Sequence, residues 1–195
     1  MTTMDAQRNR TGTCLLIIDM INELAFPEAQ DLLPAIEQTA QNIALLKRSM
    51  KSRSMPTVYV NDNFGKWRSD LRTLVSHCLR EHCAGKTIVS MLKPDEGDYF
   101  VLKPKHSGFY QTPLELLLAD LDVGRTVVCG LMGNNCVLYT ASDAYMRGFE
   151  VVVPSDCIVS LTSHSNQVAL EQMRDTLKAR TEPLKVLMER LETFR

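Results

Sequence analysis

The sequence has almost no charge surplus. Its 195 residues carry 22 lysines and arginines against 23 aspartates and glutamates, a formal net charge of −1. Proteins that grip nucleic acid or an anionic membrane surface concentrate basic residues, and that signature is missing. Long apolar runs are missing too. The strongest near the N-terminus, CLLII at 14–18, stops at Asp19, far short of the roughly 20 residues needed to span a bilayer. The opening stretch MTTMDAQRNRTGT has no apolar core of a secretion signal. Six cysteines occur without a CxxC pair. They are therefore expected as reduced thiols in a cytoplasm, which argues against a thiol-exchange enzyme. There is no internal repeat, low-complexity segment or linker, which excludes a solenoid and favours one domain.

What is present is ordinary globular composition, 45% hydrophobic and 23% charged, in a length that suits a single α/β domain. Residues 13–19 read as a strand buried on both faces. A helical period follows at 32–52, with Leu33, Ile36, Ile43, Leu46 and Met50 on one side and Pro34 in the first turn. Pro56 ends it, and 56–62 is β-branched and aromatic, a second strand. Residues 63–69 read as a loop, 70–84 as a helix, and 98–104 as a third strand. The helix at 112–122 has Thr112 as N-cap and Pro113 at its first position. A fourth strand at 125–130 ends in glycine, and the helix at 135–147 stops at Gly148. A fifth strand at 149–156, a helix at 164–178 and a helical tail complete the chain. This alternation predicts a doubly wound parallel sheet with helices on both faces. The expectation is one three-layer α/β/α domain over 1–195, with 1–12 as a flexible extension. Lys47, Arg48, Lys51 and Arg53 read as a solvated helix end that complements the dipole.

In an open parallel sheet, ligands bind beyond the carboxyl ends of the strands. Asp19 closes the first strand, Lys103 closes the third, and Cys136 follows the fourth at a helix start. Unpaired N–H groups and the positive dipole end at a helix start favour thiolate. The preceding GLMGNN, with two glycines and two asparagines, suits a turn that aims N–H groups inward. The bland alternative is a buried helix cysteine, a capping aspartate and a surface lysine.

At these residues the chain resembles the isochorismatase-like, nicotinamidase-related cysteine hydrolases, from about Leu15 to Asp156. LLIIDMINEL (15–24) resembles the family's first strand running into Asp-Met. VLKPKHSGFYQTPLELLL (101–118) resembles its lysine block, a lysine followed by three residues and then a Ser-Ala-Phe-like triplet. That count selects Lys103 rather than Lys105. VVCGLMGNNCVLYTASDAYMRGFEVVVPSDC (127–157) resembles the block of the nucleophile, in which five residues separate a glycine from the cysteine. The resemblance implies a doubly wound sheet and a catalytic set of Asp19, Lys103 and Cys136. Asp19 would take the thiol proton, Cys136 would attack an amide, ureido or carbamoyl carbon, and backbone N–H groups of Met132 and Cys136 would hold the oxyanion. Asp19 would then protonate the leaving nitrogen and activate the water that cleaves the thioester. A cis peptide at Leu131–Met132 is implied as well. So are a homodimer or homotetramer, a small amide or ureide as substrate, and no cofactor.

Departures from the family refine this. Asn61-Asp62-Asn63 stands where nicotinamidases place Asp-x-His, so the first metal histidine is missing and a metal-independent enzyme is expected. His77 and His82 in HCLREHC (77–83) do not fit a zinc module. Isochorismatases proper lack the cysteine, so Cys136 argues against vinyl-ether cleavage. Gly133-Asn134-Asn135 replaces the usual turn, which keeps open a silent hydrolase fold acting as a binding module. Phe26, Asn63, Trp67, Phe109 and Leu131 are the candidate pocket residues. Residues 61–70, with Lys66, Trp67 and Arg68, read either as a binding loop over the pocket or as a loop anchored by Phe64 and Trp67 in the core or in a subunit contact. His106 reads as a solvated loop histidine. Cys14, Cys129 and Cys157 read as packing residues, and Cys78 and Cys83 as half-buried ones.

Overall fold

Leu15 and Ile17 of β1 (Gly12–Ile18) face one side of the sheet, while Cys14, Leu16 and Ile18 face the other. All five are fully buried. A strand whose alternate residues enter two separate cores must lie in the middle of a sheet covered on both faces. The structure, a computed structural model, describes residues 10–62 and 70–191 and bears this out.

The chain runs β1, α1 (Ala29–Lys51), β2 (Thr57–Asp62), α2 (Leu71–Cys78), α3 (Lys86–Met91), β3 (Tyr99–Lys103), α4 (Leu114–Asp120) and β4 (Val123–Leu131). A π-helical turn (Gly133–Val137) leads into α5 (Leu138–Met146), followed by β5 (Glu150–Val152), β6 (Ile158–Val159), α6 (Ser163–Leu177) and α7 (Leu184–Arg190). All strand pairs are parallel, in the order β3-β2-β1-β4-β5, with β6 also on β4. Helices α1, α2, α3 and α7 cover the Leu15 face. Helices α4, α5 and α6 cover the Leu16 face. The strand order reverses between β1 and β4, which is where such sheets open a crevice.

Several local expectations need correction. The fifth strand is split. Pro154 has no N–H to give a ladder, so after Val152 the chain leaves β4. Val153 N–H bonds to Arg180, and Cys157 N–H bonds back to the Pro154 carbonyl before β6 rejoins. The helix expected at 70–84 ends early: α2 stops at Cys78, and the short helix α3 begins only at Lys86, after a stretch of turns; α2 is capped by Asp70, whose carboxylate accepts the Thr73 N–H at 2.8 Å. Helix α1 starts at Ala29, so Pro34 lies inside it rather than in its first turn. Gly12 already belongs to β1, and residues 1–9 of the expected extension lie outside the described residues. Lys47 is not solvated. It is buried, with Nζ 2.5 Å from Asp98 and 3.2 Å from Asp95, over the Tyr59 ring. Among the described residues no helix is long and apolar enough to cross a membrane.

Candidate active site

Three strand ends build the site. Asp19 ends β1 with φ 52, a left-handed conformation that aspartate tolerates better than most residues. Its N–H bonds to the Val60 carbonyl at 3.0 Å, which ties the turn to β2. Its Oδ1 accepts the Asp62 N–H at 2.7 Å. Lys103 ends β3, in register with Asp62. Two strand spacings of roughly 4.8 Å separate β3 from β1, so only a long side chain can cross β2. Lys103 does: Nζ is 2.9 Å from Asp19 Oδ2, 3.5 Å from Asp62 Oδ2 and 3.5 Å from Cys136 Sγ. The lysine is fully buried, so the surface reading of it fails.

Cys136 arrives from β4 through a turn that only particular residues allow. Gly130 has φ 117, and a Cβ there would sit 2.1 Å from the Ile18 carbonyl oxygen. The peptide bond Leu131–Met132 is cis, as the resemblance implies. The Met132 carbonyl then accepts the N–H of Asn135 at 3.0 Å and of Val137 at 3.2 Å. The latter is the wide i→i−5 closure of a π turn. Ser160, past β6, anchors the turn: its hydroxyl accepts the Asn134 N–H at 3.0 Å and donates to Asn166 Oδ1 at 2.8 Å. Cys136 therefore sits in a π-helical turn ahead of α5 rather than at the first turn of an ordinary helix.

The electrostatics correct the expected thiolate. Burial pushes the Asp19 carboxyl up, and the Lys103 ammonium offsets only part of that. Burial, and next the Asp19 charge, push the Cys136 thiol up to about 12 against the pull of Lys103. Burial disfavours the Lys103 charge, yet Asp19, the thiol and Asp62 outweigh it and hold its pKa above the ordinary value. The balance favours the thiol over the thiolate. A nearby carboxylate outweighs the half-charge of a helix end because it is a full charge at close range.

A cavity of about 380 Å³ opens over this cluster. Asp19, Phe26, Leu131, Met132 and Cys136 line it, and so do Asn22, Glu28, Asp62, Asn134, Asn135 and Leu161. Phe109 does not. It is buried in the α4–α6 core, against Phe149 and under the Arg147 guanidinium, because Arg147 reaches back to Asp143 and Glu115 across it. Asn63 and Trp67, with the rest of 63–69, lie outside the described residues. Glu28 and Leu161 come from loops whose sequences carry no period or motif, and Asn22, though inside the LLIIDMINEL block, is not among the candidate pocket residues read from the sequence. Asp62 was legible only as a displaced metal ligand, whereas the structure makes it the partner of both Lys103 and Asp19.

A metal of the nicotinamidase kind does not fit these donors. Asn61 is buried and gives its amide to the Ile21 carbonyl at 2.8 Å. His77 and His82 line a different cavity. Among the described residues no three His, Cys, Asp or Glu side chains are grouped to hold an ion.

Comparison with known proteins agrees with the fold. The isochorismatase domain matches residues 13–182. An uncharacterized isochorismatase family protein of Bacillus subtilis, YaaI, is 38% identical over 171 residues, covering 88% of this chain and 93% of the relative. The crystal structure of an isochorismatase family protein from Desulfovibrio vulgaris matches with TM-score 0.75 at 26% identity, over 94% of this chain and all of that one. N-carbamoylsarcosine amidase from Thermoplasma acidophilum shares the fold, with TM-score 0.67 at 23% identity over 89% and 96% of the two chains.

Proposed function

Because the chain belongs to the isochorismatase family, we propose that it is a cysteine-dependent hydrolase of a small amide, ureido or carbamoyl C–N bond, working through a thioester. One observation carries this reading. A buried lysine stands 2.9 Å from a buried carboxylate and 3.5 Å from a cysteine sulfur, on the floor of a cavity. A structural ion pair has no use for a thiol as its third member. The solved relative named as an N-carbamoylsarcosine amidase supports the bond class.

The reaction follows from the charges. The thiol proton passes to Asp19 as Sγ bonds to the carbonyl carbon, so the raised pKa values of both groups fit a proton that they share. Lys103 stays charged throughout and balances whichever partner carries the negative charge. The N–H groups of Met132 and Cys136 receive the carbonyl oxygen as it becomes an oxyanion. Asp19 returns the proton to the leaving nitrogen as the C–N bond breaks. Water then cleaves the thioester, releasing a carboxylic or carbamic acid and the free thiol. Residence in the cytoplasm and assembly as a homodimer or homotetramer belong to the same reading.

The test is ammonia or amine release from a panel of small amides, ureides and carbamoyl compounds, with and without chelator. Wild type is expected to turn over at least one class, Cys136→Ala none, and the chelator to change nothing. Release that survives Cys136→Ala would sink the thiol mechanism.

A further inference from the structure

A second base stands beside the thiol, and the scheme above gives it no task. His106 Nδ1 lies 4.0 Å from Cys136 Sγ. Its ring stacks on Tyr139 of α5, with centroids 5.6 Å apart and planes at 21°. The backbone around it is pinned. Ser107 donates its hydroxyl to Asp143, Gly108 N–H bonds to Thr140 Oγ1 at 3.0 Å, and Lys103 is held by Asp19. The exposure of His106 is thus not the exposure of a free loop side chain.

The two bases differ in access to water. Asp19 is 6% exposed, with Oδ1 on the Asp62 N–H and Oδ2 on Lys103. His106 is exposed, so water reaches its ring. A nitrogen 4.0 Å from sulfur is too far for a strong direct hydrogen bond. A water bound to that nitrogen at about 2.8 Å, however, comes within reach of an acyl carbon on the sulfur.

We propose that His106 is the general base of the second half-reaction, activating the water that hydrolyses the acyl-cysteine, while Asp19 serves the first. This rests on the reading of Cys136 as the acylated nucleophile. Water gives a proton to Nδ1 as its oxygen bonds to the thioester carbon. The C–S bond breaks, and the departing sulfur takes that proton back from Nδ1. A carboxylic acid leaves, and thiol and imidazole are restored. The titratable side chains that contact the ring are Cys136 from the π-helical turn and Tyr139 from α5.

An activated acyl donor, p-nitrophenyl acetate, tests the step without knowledge of the natural substrate. Wild type is expected to give a nitrophenolate burst, from acylation, then a slower steady release, from deacylation. Cys136→Ala should remove the burst and report any background from Cys83. His106→Gln should keep the burst rate and slow the steady phase by a factor of roughly 10², with acetyl-Cys136 accumulating by intact mass. Added imidazole should restore turnover. Tyr139→Leu, which frees the ring, should slow deacylation less. Equal deacylation in wild type and His106→Gln, or an equal slowing of burst and steady phases, would overturn the role of His106 alone. No burst in wild type, or a burst that survives Cys136→Ala, would overturn the parent reading instead.

Discussion

Two clefts of nearly equal size flank the segment 20–28. One, of about 380 Å³, holds Cys136, Asp19 and Asp62, with His106 beside the sulfur. The other, of about 370 Å³, holds Cys83, Glu23, His77 and His82. Each offers a thiol, carboxylate and imidazole, so residue inventory does not separate them. Burial and a lysine do. In the first, Asp19 is nearly buried and Lys103 fully so, and both interact with the cysteine. In the second, His77 Nε2 meets Glu23 Oε2 at 2.5 Å with side chains 36% and 41% exposed, and the Cys83 thiol donates to the Glu23 backbone carbonyl at 3.6 Å. Charges shared with water are cheap to hold and weak in their effect on one another. Charges taken out of water at the ends of three strands set each other's protonation.

The widest gap between the clefts is expected in turnover. Cys136→Ala should lower amide hydrolysis by at least about 10³-fold, and Cys83→Ala should leave it within twofold, measured at equal folded enzyme. Equal losses would erase the distinction. The next gap is in stability. Lys103→Met leaves the Asp19 carboxylate buried without its cation, which costs about 3–5 kcal/mol, read from the denaturant midpoint. The pH sign is definite. Asp19 already titrates above its unfolded value, about 3.9 for a free aspartate, and losing Lys103 moves it further up. A carboxyl whose folded pKa is raised binds its proton more tightly when folded, so stability falls as pH climbs from the unfolded to the folded pKa. The Lys103→Met deficit should therefore be largest near neutral pH and shrink in acid. A deficit that grows in acid would show that Asp19 is not the group left exposed to the cost.

Asp19→Asn sharpens the contrast because two readouts should move in opposite directions. Turnover should fall by roughly 10² or more, since the proton acceptor is gone. Alkylation of Cys136 by iodoacetamide at pH 8 should become faster. The Asp19 charge is one of the causes that push the thiol up to about 12, and removing an anion beside a thiol favours thiolate. Each unit of fall gives about tenfold more thiolate at fixed pH. Parallel loss of both readouts would mean that Asp19 only holds the fold together.

What the sequence made legible follows the same division between core and cleft. β1 could be read because burial on both faces leaves an unbroken apolar run. The three strand ends could be read because a charged or nucleophilic residue closing such a run is conspicuous. The split of the fifth strand hangs on one missing N–H at Pro154, which an apolar count does not register. Phe109 was expected in the pocket from its place beside the lysine block. Its ring instead belongs to the core because Arg147, far along the chain, folds over it. The protonation of Cys136 was the hardest to read. The helix end that favours thiolate is local in sequence, and the carboxylate that opposes it is 117 positions away. Loop-borne lining residues such as Glu28 and Leu161 leave no pattern at all.

The smallest expected effect lies in the second cleft. His77→Gln or Glu23→Gln breaks an ion pair whose members are both more than a third exposed. Such pairs contribute about 0.2–1 kcal/mol, less at high salt. The melting temperature should drop by no more than a few degrees, and 0.5 M salt should narrow the difference from wild type. Turnover should not change, although Glu23 shares its segment with Asn22 and Phe26 of the catalytic cleft. The reason is that the segment has its own ties. Asn61 holds the Ile21 carbonyl from the buried end of β2, and Asn22 Oδ1 accepts the Leu24 N–H at 2.8 Å. If His77→Gln nevertheless lowers kcat/KM while stability is unchanged, the wall between the clefts transmits what happens on one side to the other, and the two regions cease to be independent.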